Sequence, residues 1–248
     1  MKRRFCLYSV ILVLILFLFT GTGEEFKEAS FSECSMETEN ISAFRYWLYE
    51  PSSPVPSMPL IVYLHGRSGK GEELRLITSV DGFPEYVESG KLGSLPAYVL
   101  IPQLPSSVSG WIKAAGDVDE LVEAVAAEYE IDRDNISLTG HSMGGSGVWK
   151  FALRKSGLYS RFAPLSGSVV FSAENVERLK DKEIWAFVGA LDTVVPPSSS
   201  TAMVSAIEEA GGNAGITIFD DADHFAVPGR AYLGDTPLIE WLTGNSSF

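Results

Sequence analysis

The stretch Asn135-Ile136-Ser137-Leu138-Thr139-Gly140-His141-Ser142-Met143-Gly144-Gly145 decides how this chain reads. Its first half places Ile136 and Leu138 in alternation, which predicts a short strand. Its second half holds a G-x-S-x-G pentapeptide, Gly140 to Gly144. Beyond it, Val148, Trp149, Phe151 and Ala152 fall at helical spacing. A strand, a sharp glycine turn with serine at its tip, then a helix is the context in which a serine is strained and presented as a nucleophile. Such a turn leaves no room for side chains at the flanking positions, which accounts for glycine two residues to either side. The helix aims its first N–H groups back at the serine, where an oxyanion would form. A serine among glycines is by itself only a turn, so the rest of the chain has to supply its partners.

Upstream, Leu60-Ile61-Val62-Tyr63-Leu64 is a continuous apolar run that suits a buried parallel strand. It ends in His65-Gly66-Arg67-Ser68-Gly69-Lys70-Gly71. A phosphate-binding loop needs Ser or Thr after its lysine and a different glycine spacing, so a nucleotide site is excluded here. The loop reads instead as an oxyanion loop. A backbone N–H near Arg67 faces the reacting carbonyl oxygen, and His65 braces the turn by hydrogen bonds rather than exchanging protons. Ala97 to Ile101 is another buried strand, closed by Pro102-Gln103-Leu104-Pro105, and a loop carrying Trp111 follows. Val118, Leu121, Val122, Val125, Ala126 and Tyr129 then form one apolar helix face, with Asp117 as its cap and Glu120 at the third position. Further strands are predicted over 44–49, 162–165, 184–188 and 216–219, and helices around Met203–Ile207 and Leu238–Leu242. Alternating strands and helices predict the α/β class, a mainly parallel sheet with helices on both faces.

The chain has 248 residues, enough for one α/β domain with a substantial core. Lys2-Arg3-Arg4, the apolar run from Cys6 to Phe19 and the small residues Thr20 to Gly23 have the layout of a secretory signal. The apolar run is shorter than the roughly 20 residues of a spanning helix. Cleavage is expected near Gly23, with an uncleaved anchor as the alternative. Residues 24–41 are then a flexible lead-in with room for one edge strand, and 42–248 the folded domain. Removing Cys6 with the signal would leave Cys34 alone, with no intramolecular disulfide. The formal charge of −13 would become −16 with the loss of three cations, Lys2, Arg3 and Arg4. Such a surface disfavours nucleic acid and anionic membrane as partners, and opposes negatively charged substrates.

An acyl-transfer site needs a nucleophile, a base and a group that orients the base. Of the three histidines, His65 and His141 precede Ser142 and only His224 follows it, directly after a predicted strand. Asp192 also follows a strand end and is the favoured acid. Asp220, Asp221 and Asp223 crowd around His224, and Asp181 lies earlier, so the acid is less unique than the base.

At this point the sequence resembles a known family. Leu64-His65-Gly66, Pro102-Gln103, Trp111, Ile131-Asp132, Ser137 to Gly145, Ile184 to Phe187, Gly189-Ala190-Leu191-Asp192 with Val195-Pro196, and Asp223-His224 look like the α/β-hydrolases of the phospholipase/carboxylesterase and "predicted peptidase" group. Feruloyl- and polyhydroxybutyrate-esterase types are related to it. The resemblance covers about residues 42 to 243. It implies a Ser142, Asp192, His224 triad, oxyanion donors at Met143 and Arg67, and carboxylic-ester hydrolysis without metal or other cofactor. One departure stands out: many such loops carry Gly or Ala after His-Gly, where this chain has Arg67 and Ser68.

The chain is short for this fold and shows no long apolar insertion, so no large lid is expected. Trp111 is placed to line the cleft as a flat apolar face for an acyl or aryl group. The expected substrate is a small ester, short-chain or aryl. A serine peptidase using the same residues is the alternative, and a non-catalytic binding module is disfavoured by the complete triad. The membrane enters only through an uncleaved N-terminus.

Overall fold

The computed structural model describes residues 4–7, 28–52, 54–80 and 82–247. Its strands are β1 (Arg4–Leu7), β2 (Ser30–Met36), β3 (Phe44–Glu50), β4 (Leu60–Leu64), β5 (Tyr98–Pro102), β6 (Ile136–His141), β7 (Arg161–Leu165), β8 (Glu183–Gly189) and β9 (Ala214–Phe219). They form one sheet in the order β1-β2-β3-β5-β4-β6-β7-β8-β9. β5 to β9, with β4, are parallel, and β1 to β3 add an antiparallel end. The order turns back at β4, whose neighbours are β5 on one side and β6 on the other. A parallel sheet opens a crevice at such a reversal, beyond the C-terminal strand ends.

The helices are α1 (Arg75–Val80), α2 (Gly82–Glu88), α3 (Ala115–Glu128), α4 (Met143–Ala152), α5 (Ala173–Leu179), α6 (Ser198–Glu209), α7 (Val227–Tyr232) and α8 (Leu238–Leu242). The sheet separates two apolar cores because successive side chains on a strand point to opposite faces. Leu60, Val62 and Leu64 of β4 pack with α3, α4 and α6 through Val118, Val148 and Met203. Ile61 and Tyr63 pack on the other face with Ile77, Phe83, Val227 and Trp241 of α1, α2, α7 and α8.

The polar residues of β6 are buried as well. Ser137 and Thr139 are 0% exposed and His141 is 5% exposed. Ser137 Oγ donates to the Leu242 carbonyl at 2.6 Å, and Thr139 Oγ1 lies 2.6 Å from the Tyr232 hydroxyl. Their alternation is therefore not the mark of a wet face. It is a row of tethers for the C-terminal helices.

Two readings are corrected here and one is sharpened. The strand allowed for in the lead-in 24–41 is β2, paired along its whole length with β3 and on its other side with β1. Its inward residues are Ser32, Cys34 and Met36, a face too weakly apolar to announce itself. Cys34 is not alone, because it is disulfide-bonded, and the residue in register with it on β1 is Cys6. Asp117 does not cap its helix. α3 starts at Ala115, continuing from a 3-10 turn over Trp111–Ala114, so Asp117 already lies in its first turn. Its buried carboxylate instead accepts from Thr38 Oγ1 at 2.7 Å and from the Asn40 N–H at 2.9 Å, fastening the turn after β2. The expected cleavage near Gly23 and most of the apolar run from Cys6 to Phe19 lie outside the described residues.

Candidate active site

β6 is central, and the chain must reverse at its end to enter α4. Ser142 sits at that corner with φ 58° and ψ −116°. This is left-handed backbone, which a non-glycine residue adopts only under strain of about 1–3 kcal/mol. The glycines on either side are required by close approach. A Cβ on Gly140 would stand 2.5 Å from the Leu64 carbonyl oxygen, and one on Gly144 would overlap that same oxygen. The elbow is thus wedged against the end of β4.

The Ser142 N–H donates to the Leu165 carbonyl at 3.0 Å, so it is already engaged. Met143 is the first residue of α4, and a first-turn N–H has no intrahelical acceptor. It is therefore the donor that the elbow leaves available. Across the crevice, Arg67 opens a 3-10 turn that follows β4. His65 holds that turn. Its Nε2 accepts from the Leu104 N–H at 2.9 Å, and its Nδ1 lies 2.6 Å from the Gly66 carbonyl. An accepting Nε2 makes the ring neutral with the proton on Nδ1.

Three side chains from three strand ends meet. His224 Nε2 lies 2.9 Å from Ser142 Oγ, and His224 Nδ1 lies 2.7 Å from Asp192 Oδ2. Both the His224 and Asp192 side chains are almost fully enclosed, 3% and 1% exposed. Burial alone would raise the Asp192 carboxyl. The Val195 N–H, the His224 ring and the Val194 N–H outweigh it and hold the pKa below its ordinary value. Asp192 Oδ1 accepts from those two N–H groups at 2.8 and 2.9 Å, leaving Oδ2 for the histidine. An ionised, oriented carboxylate fixes the Nδ1–H tautomer, and Nε2 is then free to take the serine proton.

Asp220, Asp221 and Asp223 do not reach His224 Nδ1. Asp223 Oδ1 accepts from the Phe225 and Ala226 N–H groups at 3.0 Å, and Asp221 pairs with Arg230 at 3.0 Å. A residue the sequence left idle holds the base. His141 Nε2 lies 2.8 Å from the His224 carbonyl, and the two rings are 4.7 Å apart. The alternation that sends Thr139 and His141 to one face was the available signal.

The cleft in front of Ser142 has a volume of about 440 Å³. It is bounded by Arg67, Gly110 and Trp111 on one side, by Met143, Ser146, Gly147 and Lys150 of α4, and by Ser168, Val194 and Val195. Trp111 borders this cleft but is only 2% exposed. Its indole packs edge-on against His65 and donates to the His65 carbonyl at 3.0 Å. It supports the oxyanion loop more than it offers a face. An exposed aromatic next to the histidine is Phe225, 77% accessible and set edge-on against the His224 ring. Leu191 and Val194, each 58% exposed, flank Asp192. With these side chains open to solvent, no lid covers the site among the described residues.

The expectation that charge opposes anions concerns the whole surface, and the lining of the cleft differs from that surface. The charged residues among those bounding the cleft are Arg67 and Lys150, both cations and both exposed. Net charge is a property of the whole surface, whereas the cleft is set by two elements that carry basic residues there.

Comparison with known proteins agrees with this architecture. The family model described as Esterase matches residues 118–213, less than half of the chain. A bifunctional acetylxylan esterase/xylanase, XynS20E, from Neocallimastix patriciarum is 29% identical over 140 residues, which is 53% of this chain and 19% of the relative. The chain therefore spans about one fifth of that curated relative's length. A thermostable esterase superposes with a TM-score of 0.70 at 26% identity, over 86% of this chain and 62% of the other. The feruloyl esterase module of Clostridium thermocellum superposes with a TM-score of 0.65 at 14% identity, over 88% and 87%.

The fold is the α/β-hydrolase fold. In this chain the strand entering the serine turn is β6, the Arg67 turn follows β4, and Asp192 and His224 follow β8 and β9. Ser142, Asp192 and His224 are brought into one hydrogen-bonded chain, and Met143 and Arg67 border the same cleft.

Proposed function

We propose that this α/β-hydrolase is a serine esterase that cleaves carboxylic esters through an acyl-enzyme on Ser142. The observation that carries the reading is the continuous hydrogen-bonded chain Asp192–His224–Ser142, ending on a serine held at φ 58°. His224 takes the Ser142 proton as Oγ attacks the ester carbonyl. The Met143 N–H and the backbone N–H at Arg67 hold the oxyanion; losing one such donor typically costs 10²–10³-fold in turnover. The carbonyl re-forms, the alkoxide leaves with the proton from His224, and the acyl group stays on Oγ. Water then enters and gives a proton to His224 as its oxygen attacks the acyl carbon; the carbon–Oγ bond breaks, His224 returns the proton to Ser142 Oγ, and the acid is released.

Acylaminoacyl peptidases share the fold at 14–15% identity, so the fold does not separate esters from amides; the relatives at 26–29% identity are an esterase and an acetylxylan esterase/xylanase, which favours esters. The exposed Phe225 and Val194 beside the site favour a short acyl or aryl group. The N-terminal charge and apolar pattern supports export, with residues 1–23 as the signal or anchor; cleavage near Gly23 would remove β1 and with it Cys6, the residue in register with Cys34, whereas an uncleaved anchor keeps both. A fluorophosphonate probe should label the wild type and not Ser142→Ala. p-Nitrophenyl acetate should be turned over and peptide anilides should not. A folded protein that resists the label, or that prefers the anilides, sinks this reading.

A further inference from the structure

The cleft of this acidic protein is lined by cations, and we infer that its substrate is an ester bearing a carboxylate, bound by Lys150 with Arg67 contributing to the field. The inference rests on the esterase reading and names the substrate class of that site.

Lys150 belongs to α4. Met143, Ser146, Gly147 and Lys150 recur at i, i+3, i+4 and i+7, one face of the helix, and all four border the cleft. The same helix therefore offers the oxyanion donor at its start and an ammonium at its end. Seven residues at 1.5 Å rise place the two backbone positions roughly 10 Å apart. A substrate seated on Met143 and extended along α4 carries its charge to Lys150.

A lysine in the last turn of a helix is also favoured by the helix dipole. That accounts for a basic residue at the end of α4. It does not account for the face it occupies, nor for Arg67 bordering the same cleft from a different element. Among the described residues neither cation has a carboxylate partner at ion-pair distance, so both charges remain available to a ligand. Ser146 and Ser168, with hydroxyls 3.1 Å apart on the cleft wall, add further polar ground. The −13 net charge acts from farther away. At physiological ionic strength the Debye length is about 8 Å, so surface carboxylates farther away than that are screened, while a cation within a few ångströms of the ligand still acts on it until salt is raised further.

The test uses p-nitrophenyl monoesters of straight-chain dicarboxylic acids of increasing length, each against its ω-carboxamide counterpart. The two differ in charge and hardly in size. At low salt, kcat/KM should favour the carboxylate about threefold to tenfold at the lengths that reach Lys150, and the ratio should approach one in 0.5 M salt. Lys150→Gln should bring the ratio to one, Lys150→Glu should invert it, and Lys150→Arg should keep it. Lys155→Gln changes the net charge equally on an exposed residue that does not border the cleft, and should keep the wild-type ratio. A ratio of one or below at every length, with the carboxamide esters still hydrolysed, overturns the inference and leaves the esterase standing. An equal loss of preference in the Lys155 and Lys150 variants also overturns it, since the effect is then global. No turnover of either series overturns both.

Discussion

Replacing Ser142 by glycine should stabilise this protein relative to replacing it by alanine, although both variants lose the nucleophile. The two substitutions remove the same hydroxyl and the same 2.9 Å contact with His224 Nε2, so that loss cancels in the comparison. What remains is the backbone at φ 58°, ψ −116°. Alanine keeps its Cβ in this region at a cost of about 1–3 kcal/mol, whereas glycine occupies it freely. Glycine gives back about 0.5–1 kcal/mol because its unfolded chain has more freedom to lose. The difference is about 1 kcal/mol in favour of glycine, within a range of roughly 0 to 2.5 kcal/mol. For a domain of this size that raises Tm by about 2–4 °C. Urea titrations of the two variants should show parallel transitions with a higher midpoint for Ser142→Gly, the slope being unchanged if only the native state is relieved. A glycine variant less stable than the alanine variant would refute the argument that the elbow stores strain at this residue.

Other expectations follow from the same geometry. Asp192→Asn should lower kcat/KM by about 10³–10⁴-fold, because it presents the wrong tautomer to His224, while Asp223→Asn should be nearly silent. Because the folded Asp192 pKa is lowered, its contribution to stability is present above the unfolded value of about 3.9 and is lost as pH falls through the folded value; the stability gap between wild type and Asp192→Asn should therefore close below about pH 4, and a gap that widens there would contradict it. His141→Phe keeps the ring contact with His224 but removes the donor to its carbonyl, so kcat should fall by about tenfold to a hundredfold with partial recovery in His141→Gln; an unchanged kcat would leave His141 a packing residue. Phe225→Ala should raise KM for aryl esters more than for acetates, whereas Trp111→Ala should instead cost about 3–5 kcal/mol of stability by calorimetry.

The parts of the fold that were legible were those where one physical requirement dominates. The runs at 60–64, 97–101 and 184–188 have to be apolar because both faces of a parallel strand are covered. The elbow was legible because its glycines are required sterically and its serine chemically. The rest was hidden for identifiable reasons. β2 presents Ser32, Cys34 and Met36 inward, a pattern that scarcely differs from a loop. α5 and α7 are only seven and six residues long, too short for periodicity, although Ser172 capping the Asn175 N–H was a usable start signal for α5. Trp111 was placed correctly beside the cleft, but its exposure is decided by what packs on it, and sequence does not carry that. The two lining cations were in plain view as residues; only the topology sets Arg67 and Lys150 around one space.

The row of buried polar side chains on β6 bears on motion as well as on packing. His224 follows an edge strand, β9, which would ordinarily place it in a segment that opens and closes independently of the core. Thr139 and His141 prevent that, since one meets Tyr232 of α7 and the other meets the carbonyl of His224 itself. Ser137, with Asn135 just before the strand, fastens the C-terminal end of α8 in the same way, through the carbonyls of Leu242 and Thr243. The strand that presents Ser142 is thus also the anchor of His224. Amides of α7 should exchange with solvent on the same slow timescale as those of β6, while those of β9 exchange sooner. Edge fraying would then leave the relation between His224 and Ser142 intact, and catalytic competence would disappear only when the central strand itself lets go.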